Sequence, residues 1–160
     1  MNAIDFRDTI IIPTLTQIEL YRESAVVLLL GTAIKESGNF KYRRQLGGGP
    51  ALSFYQIEPF THDDCWTNFL HYKSDLSHKI RSLLPTEIQQ DQIPPNSQLE
   101  FNDPYATAIA RVKYLRVPEK LPEADNVDDM AMYWKHHYNT VKGNGRWEEW
   151  AEMYRANVPT

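Results

Sequence analysis

The residues best suited to chemistry are an acid, an amide and a phenol–amide pair, spread along most of the chain. Glu36 closes a strongly apolar run that contains Val26, Val27, Leu28, Leu29 and Leu30. A carboxyl in that place is expected to be partly desolvated, which disfavours its charged form and lifts its pKa toward the range of a general acid. Gln56 follows Gly47, Gly48 and Gly49 in a segment where Ala51, Phe54 and Ile57 are apolar and Gln56 and Glu58 polar. Its amide offers a donor and an acceptor at once, as needed to orient a sugar hydroxyl or acetamido group. Tyr138 and Asn139 precede Gly143 and Gly145 and can present a phenol and an amide to a cleft. An acid at the end of an apolar helix, then a glycine-rich loop and an amide, can build a carbohydrate-cleaving site. Each residue also has a structural reading: a solvated helix end, a surface glutamine, a packing tyrosine beside an asparagine cap. Residue type and spacing leave both readings open.

Other chemistries fit less well. His62, Asp63 and Asp64 are metal-ligand types, yet neighbours on one helix point in different directions, and His136 with His137 share that defect. There is no HExxH or CxxC pattern, so no metal is expected. The glycine triplet lacks the Lys and Ser/Thr of a phosphate-binding loop, and no cofactor is expected. Trp66, Trp134, Trp147 and Trp150 could stack on sugar faces, but their helical spacing favours the core for most of them.

The elements that must position these groups read as helices. Residues 3–12 form a short first helix ended near Pro13. Residues 16–36 form the central one, with Ile18, Tyr21, Ala25, Leu28, Leu29 and Thr32 at spacings of three and four and an apolar second half. Gly38 stops it. Residues 39–53 read as a loop with a short hairpin at most. Further helices are expected over residues 59–72, with Phe60, Trp66, Phe69 and Leu70 packed, over residues 76–84, over residues 104–115 with Asn102 or Asp103 as the cap, and over residues 126–138 and 147–156. Residues 85–99, rich in Pro, Gln and Ser, read as an exposed connection. The class is therefore mainly α, or α+β if the glycine loop makes a small sheet.

At 160 residues the chain fits one domain, and 42% hydrophobic with 24% charged residues is ordinary for a globular protein. A net charge of −4 argues against a nucleic-acid partner. Cys65 is the one cysteine, so no intrachain disulfide forms. The first residues do not read as a secretory signal, and no apolar run is long enough for membrane insertion.

The ordered segments AIKESGNF, GGGPALSFYQIEP and YNTVKGNG together resemble the lysozyme-like superfamily of soluble lytic transglycosylases and goose-type lysozymes. GPALSFYQIEPFTHDDCW and ARVKYLRVPE look closest to small lysozyme-like proteins of tailed bacteriophages. The resemblance implies one lysozyme-like domain over residues 1–160 and cleavage of the β-1,4 bond between N-acetylmuramic acid and N-acetylglucosamine. It makes Glu36 the catalytic acid and Gln56, Tyr138, Asn139, Ser37 and Tyr55 substrate-binding residues. The implied partners are peptidoglycan glycan strands and other phage virion proteins. The implied route is synthesis in the host cytoplasm and action on the cell wall, by hydrolysis or transglycosylation. Hydrolysis calls for activated water or a second carboxylate at roughly 5 to 9.5 Å; Glu58, Asp63 and Asp64 are nearest in sequence. Two positions depart from the family pattern: Ser53 stands where glycine is usual, and the turn after Asn139 is longer. The rival expectations are a virion or tail protein that keeps the fold with weak or no catalysis, and a helical regulator that binds nucleic acid.

Overall fold

Apolar residues nearly all round its axis force the helix α3 (Glu23–Glu36) into the centre of the protein, where Leu28, Leu29, Leu30, Ala33 and Ile34 are buried. The computed structural model describes residues 1–139 and 143–160. Around α3 pack α1 (Ala3–Phe6), α7 (Asp103–Leu115), α8 (Val127–Trp134) and α9 (Trp147–Asn157). Gly31 explains how closely α9 can approach. A Cβ there would lie 1.9 Å from the Trp150 indole, so the large ring seats directly on the α3 backbone. That contact accounts for glycine in a helix interior, where it costs about 1 kcal/mol against alanine.

Pro13 does not end the first helix. α1 runs through a π turn, Arg7–Ile11, into α2 (Ile12–Gln17), and the Ile12 N–H bonds the Arg7 carbonyl five residues back. The backbone is widened just before Pro13, where a regular helix would meet the proline ring. The central helix also starts later than its periodicity suggests. After α2 the chain makes a Schellman turn, with Leu20 N–H to Leu15 O at 2.9 Å and Glu19 N–H to Thr16 O at 3.1 Å. Glu19 takes the left-handed position usually held by glycine, at φ 58°.

The glycine-rich segment forms no strand among the described residues, only isolated antiparallel bridges, Arg44 with Leu52 and Leu52 with Ile57. The molecule is mainly α, and the small sheet that would make it α+β is missing because the bridges do not extend. The loop is held by Arg43, bidentate on Asp103, and by Arg44 on Glu100. The Arg43 guanidinium also lies 4.1 Å from the Phe54 ring centroid.

α4 (Pro59–Asn68) begins with proline as expected, but Phe60 is 81% exposed, while Cys65 and Trp66 face the core. α5 (Ser74–Arg81) follows. The proline-rich connection is less exposed than its composition implies. Pro94 and Leu99 are buried, and Arg81 donates to the carbonyls of Gln89, Asp91 and Gln92. After α6 (Gln98–Phe101), Asn102 caps α7 by accepting the Tyr105 N–H, with Pro104 in the first turn. α8 continues into a second π turn, Lys135–Asn139. The turn between Asn139 and Gly143 lies outside the described residues. No helix among the described residues is long and apolar enough to cross a membrane.

Candidate functional site

The C-terminal end of α3, the bridge loop, the start of α4, the last turns of α7 and the π turn after α8 enclose a groove of about 510 Å³. Glu36, Gln56, Glu58, Lys113, Tyr138 and Asn139 line it, with Gln45, Thr61 and Gly143 at its edges. Glu36 is the last residue of α3, and the chain turns away at once because Gly38 is left-handed at φ 62° and the Asn39 N–H returns to the Ile34 carbonyl at 2.8 Å. Gln56 is also left-handed, at φ 50°. Its Nε2 donates to the Ser53 carbonyl at 2.8 Å, which fixes the amide and leaves its oxygen for a ligand. Tyr138 donates to the Tyr55 carbonyl at 2.5 Å and stacks on Tyr114. Asn139 accepts from Lys135 Nζ at 2.8 Å, and the same ammonium reaches the Gly143 carbonyl at 2.9 Å.

The electrostatics of the groove centre on Glu36 and Lys113. Burial pushes the Glu36 carboxyl up to about 7, against the opposing pull of Lys113 and Lys35. Burial likewise lowers Lys113 to about 8, with Glu36 the strongest of the acids that resist it. Glu36 makes no hydrogen bond or ion pair among the described residues. A half-buried carboxyl that takes up its proton near neutrality can donate that proton to a leaving oxygen at neutral pH. The Lys113 Nζ lies 3.4 Å from the centroid of the Tyr138 ring, in contact with its electron-rich face.

The groove therefore brings together Glu36, Gln56, Tyr138, Asn139 and Glu58 and leaves out the other expected residues. Ser37 is fully buried; its hydroxyl donates to the Ala33 carbonyl and accepts the Phe40 N–H, so it shapes the helix end and faces no ligand. Tyr55 is buried with its hydroxyl on Thr107, and contributes only the carbonyl that holds Tyr138. Asp63 is bonded to His62, and Asp64 to Arg116 and Asn68, both away from the groove. Of the candidate second carboxylates only Glu58 remains, exposed at the N-cap of α4. Lys113 was missed by sequence reading. Its signal was present: it falls four residues after Ile109 and eight after Tyr105, a lysine on the apolar stripe of α7.

Among the described residues no group of three or more His, Cys, Asp and Glu side chains could hold a metal. No protein-family model, curated protein or solved structure matches the chain.

Proposed function

We propose that the chain is a peptidoglycan-cleaving muramidase that cuts the β-1,4 bond between N-acetylmuramic acid and N-acetylglucosamine, with Glu36 as the acid. The observation that carries this reading is the Glu36 carboxyl, unpaired among the described residues and with its pKa lifted to about 7, in a groove shared with two amides and the Tyr138 ring. Glu36 gives its proton to the glycosidic oxygen as the bond to the anomeric carbon breaks. The deprotonated carboxylate then takes a proton from the attacking oxygen, either water or the muramic C6 hydroxyl, and is ready for the next cycle. Gln56 and Asn139 orient the acetamido groups and hydroxyls. The reading extends to a phage-encoded protein that acts on the wall, alone or within a virion.

One observation favours a second reading, a lysozyme-like virion module with little catalysis. Lys113 is a cation in the groove, and positive charge beside a forming oxocarbenium ion opposes the reaction. Turbidity clearing of purified sacculi by the wild type and Glu36→Gln separates the two. The muramidase reading expects clearing that drops at least about 100-fold in the variant. Equal clearing by both proteins would remove Glu36 from the mechanism, and no clearing by either would favour the virion module. Product masses with or without the elements of water tell hydrolysis from anhydro-ring closure.

A further inference from the structure

We infer that Lys113 is a substrate-binding residue whose ammonium pairs with a carboxylate on the glycan strand, so that the groove selects an acidic glycan over a neutral one. The inference rests on the muramidase reading and names what the same groove recognises.

Among the described residues, four other cations near the elements of the groove are occupied. Lys35 pairs with Glu149, Arg43 with Asp103, Arg44 with Glu100, and Lys135 with Asn139 and the Gly143 carbonyl. Lys113 differs: among the described residues its Nζ makes no ion pair and donates no hydrogen bond. Glu36 and Glu58 are close enough to favour its charge, together with the Cys65 thiol, but neither carboxylate reaches it as an ion pair. A half-buried ammonium that meets only the face of an aromatic ring is costly unless something supplies an anion.

The geometry also favours a ligand over a stray side chain. The Nζ sits over the face of Tyr138. That ring is fixed by its hydroxyl on the Tyr55 carbonyl and by stacking on Tyr114. The charge is therefore held in place before any ligand arrives, which lowers the ordering cost of binding. It opens onto the groove that contains Gln56 and Asn139, the groups suited to acetamido sugars. A polymer of N-acetylglucosamine alone offers no anion. A muramic-acid strand offers the lactyl ether carboxylate when the peptide is removed, and the stem-peptide carboxylates when it is not.

The test measures binding of Glu36→Gln protein, which leaves the strands intact, to three probes: chito-oligosaccharide, peptide-free glycan strands and peptide-bearing strands. We expect the acidic strands to bind about tenfold more tightly than chito-oligosaccharide at low salt, a preference that Lys113→Met brings close to unity and Lys113→Arg largely restores. Loss of the preference at high salt would agree. A preference confined to peptide-free strands identifies the lactyl carboxylate, and one confined to peptide-bearing strands identifies the stem. Equal binding of all three probes, or equal weakening of all three by Lys113→Met, would overturn the inference and leave the muramidase reading standing. No binding of any strand would overturn both.

Discussion

Two concave surfaces of nearly the same size differ in what their polar groups are doing. The groove at Glu36 measures about 510 Å³, and a cleft beside α4 and α5 about 530 Å³, lined in part by Trp66, His78, Arg81 and Gln92. In the second cleft the polar capacity of the anchoring residues is spent internally. Arg81 donates to three backbone carbonyls and lies 4.5 Å from the centroid of the Trp66 ring. The Trp66 N–H donates to the Tyr105 hydroxyl at 2.8 Å, and that hydroxyl shares a second hydrogen bond with His62 Nε2 at 2.6 Å. Burial lowers the His62 pKa, with Asp63 opposing, so the charged imidazole is disfavoured. In the groove, Glu36 and Lys113 make no hydrogen bond or ion pair among the described residues and sit at shifted pKa values. Volume does not separate a structural cleft from a candidate site; unspent, desolvated charge does.

The sharpest way to break that contrast is pH. Glu36 has a folded-state pKa of about 7 against 4.5 in the unfolded chain. Between those values the folded protein binds more protons than the unfolded one, so stability falls as pH rises through that window, by up to about 3 kcal/mol. Glu36→Gln is expected to flatten the fall. Lys113 acts in the opposite sense over a higher range: its pKa drops from 10.5 to about 8, so the folded state gives up its proton first and stability recovers as pH rises between them. Chemical denaturation of the wild type and Glu36→Gln across both windows checks the signs. Parallel curves would mean that Glu36 is solvated and the groove no different from the cleft.

A smaller effect sharpens the other side. Arg81→Met removes the donor to the carbonyls of residues 89, 91 and 92 and should lower stability by about 2 kcal/mol, with glycan affinity and sacculus clearing unchanged. Thermal melts beside binding curves read both at once. A variant that melts like the wild type but no longer binds glycan would make the second cleft part of the site.

The helical architecture was legible because it rests on periodicity: the apolar faces of α3, α7 and α9 are written at spacings of three and four. What escaped was local geometry that side-chain type does not encode. Glu19 in a left-handed turn, the π turn that admits Pro13, and bridges too short to become strands are set by which backbone N–H meets which carbonyl, a choice that residue types leave open. At the site, the acid, the amide and the Tyr–Asn pair were legible as an ordered set. Ser37 and Tyr55 share motifs with Glu36 and Gln56, but their hydroxyls are bonded within the core, to the end of α3 and to Thr107, so adjacency in sequence does not bring them to the groove. Lys113 was passed over because its meaning depends on Tyr138 and Glu36, both far from it in sequence.

Ser53 gives the finest test, because two effects of similar size oppose each other there. Its backbone is left-handed at φ 75°, a conformation that costs a non-glycine residue about 1 kcal/mol and explains why glycine suits the position. Yet the side chain is fully buried, and its hydroxyl accepts the Tyr55 N–H at 3.0 Å, worth about 1 kcal/mol. Ser53→Gly relieves the first and loses the second, so its stability should stay within about 0.5 kcal/mol of the wild type. Ser53→Ala keeps the strain and loses the bond, and should be less stable by about 1 kcal/mol. Because the Ser53 carbonyl also accepts from the Gln56 amide, a freer backbone in Ser53→Gly should weaken glycan binding slightly while the melt is unchanged. If Gly and Ala destabilise alike, the hydroxyl bond alone sets the turn, and the left-handed backbone at Ser53 adds nothing to the shape of the groove.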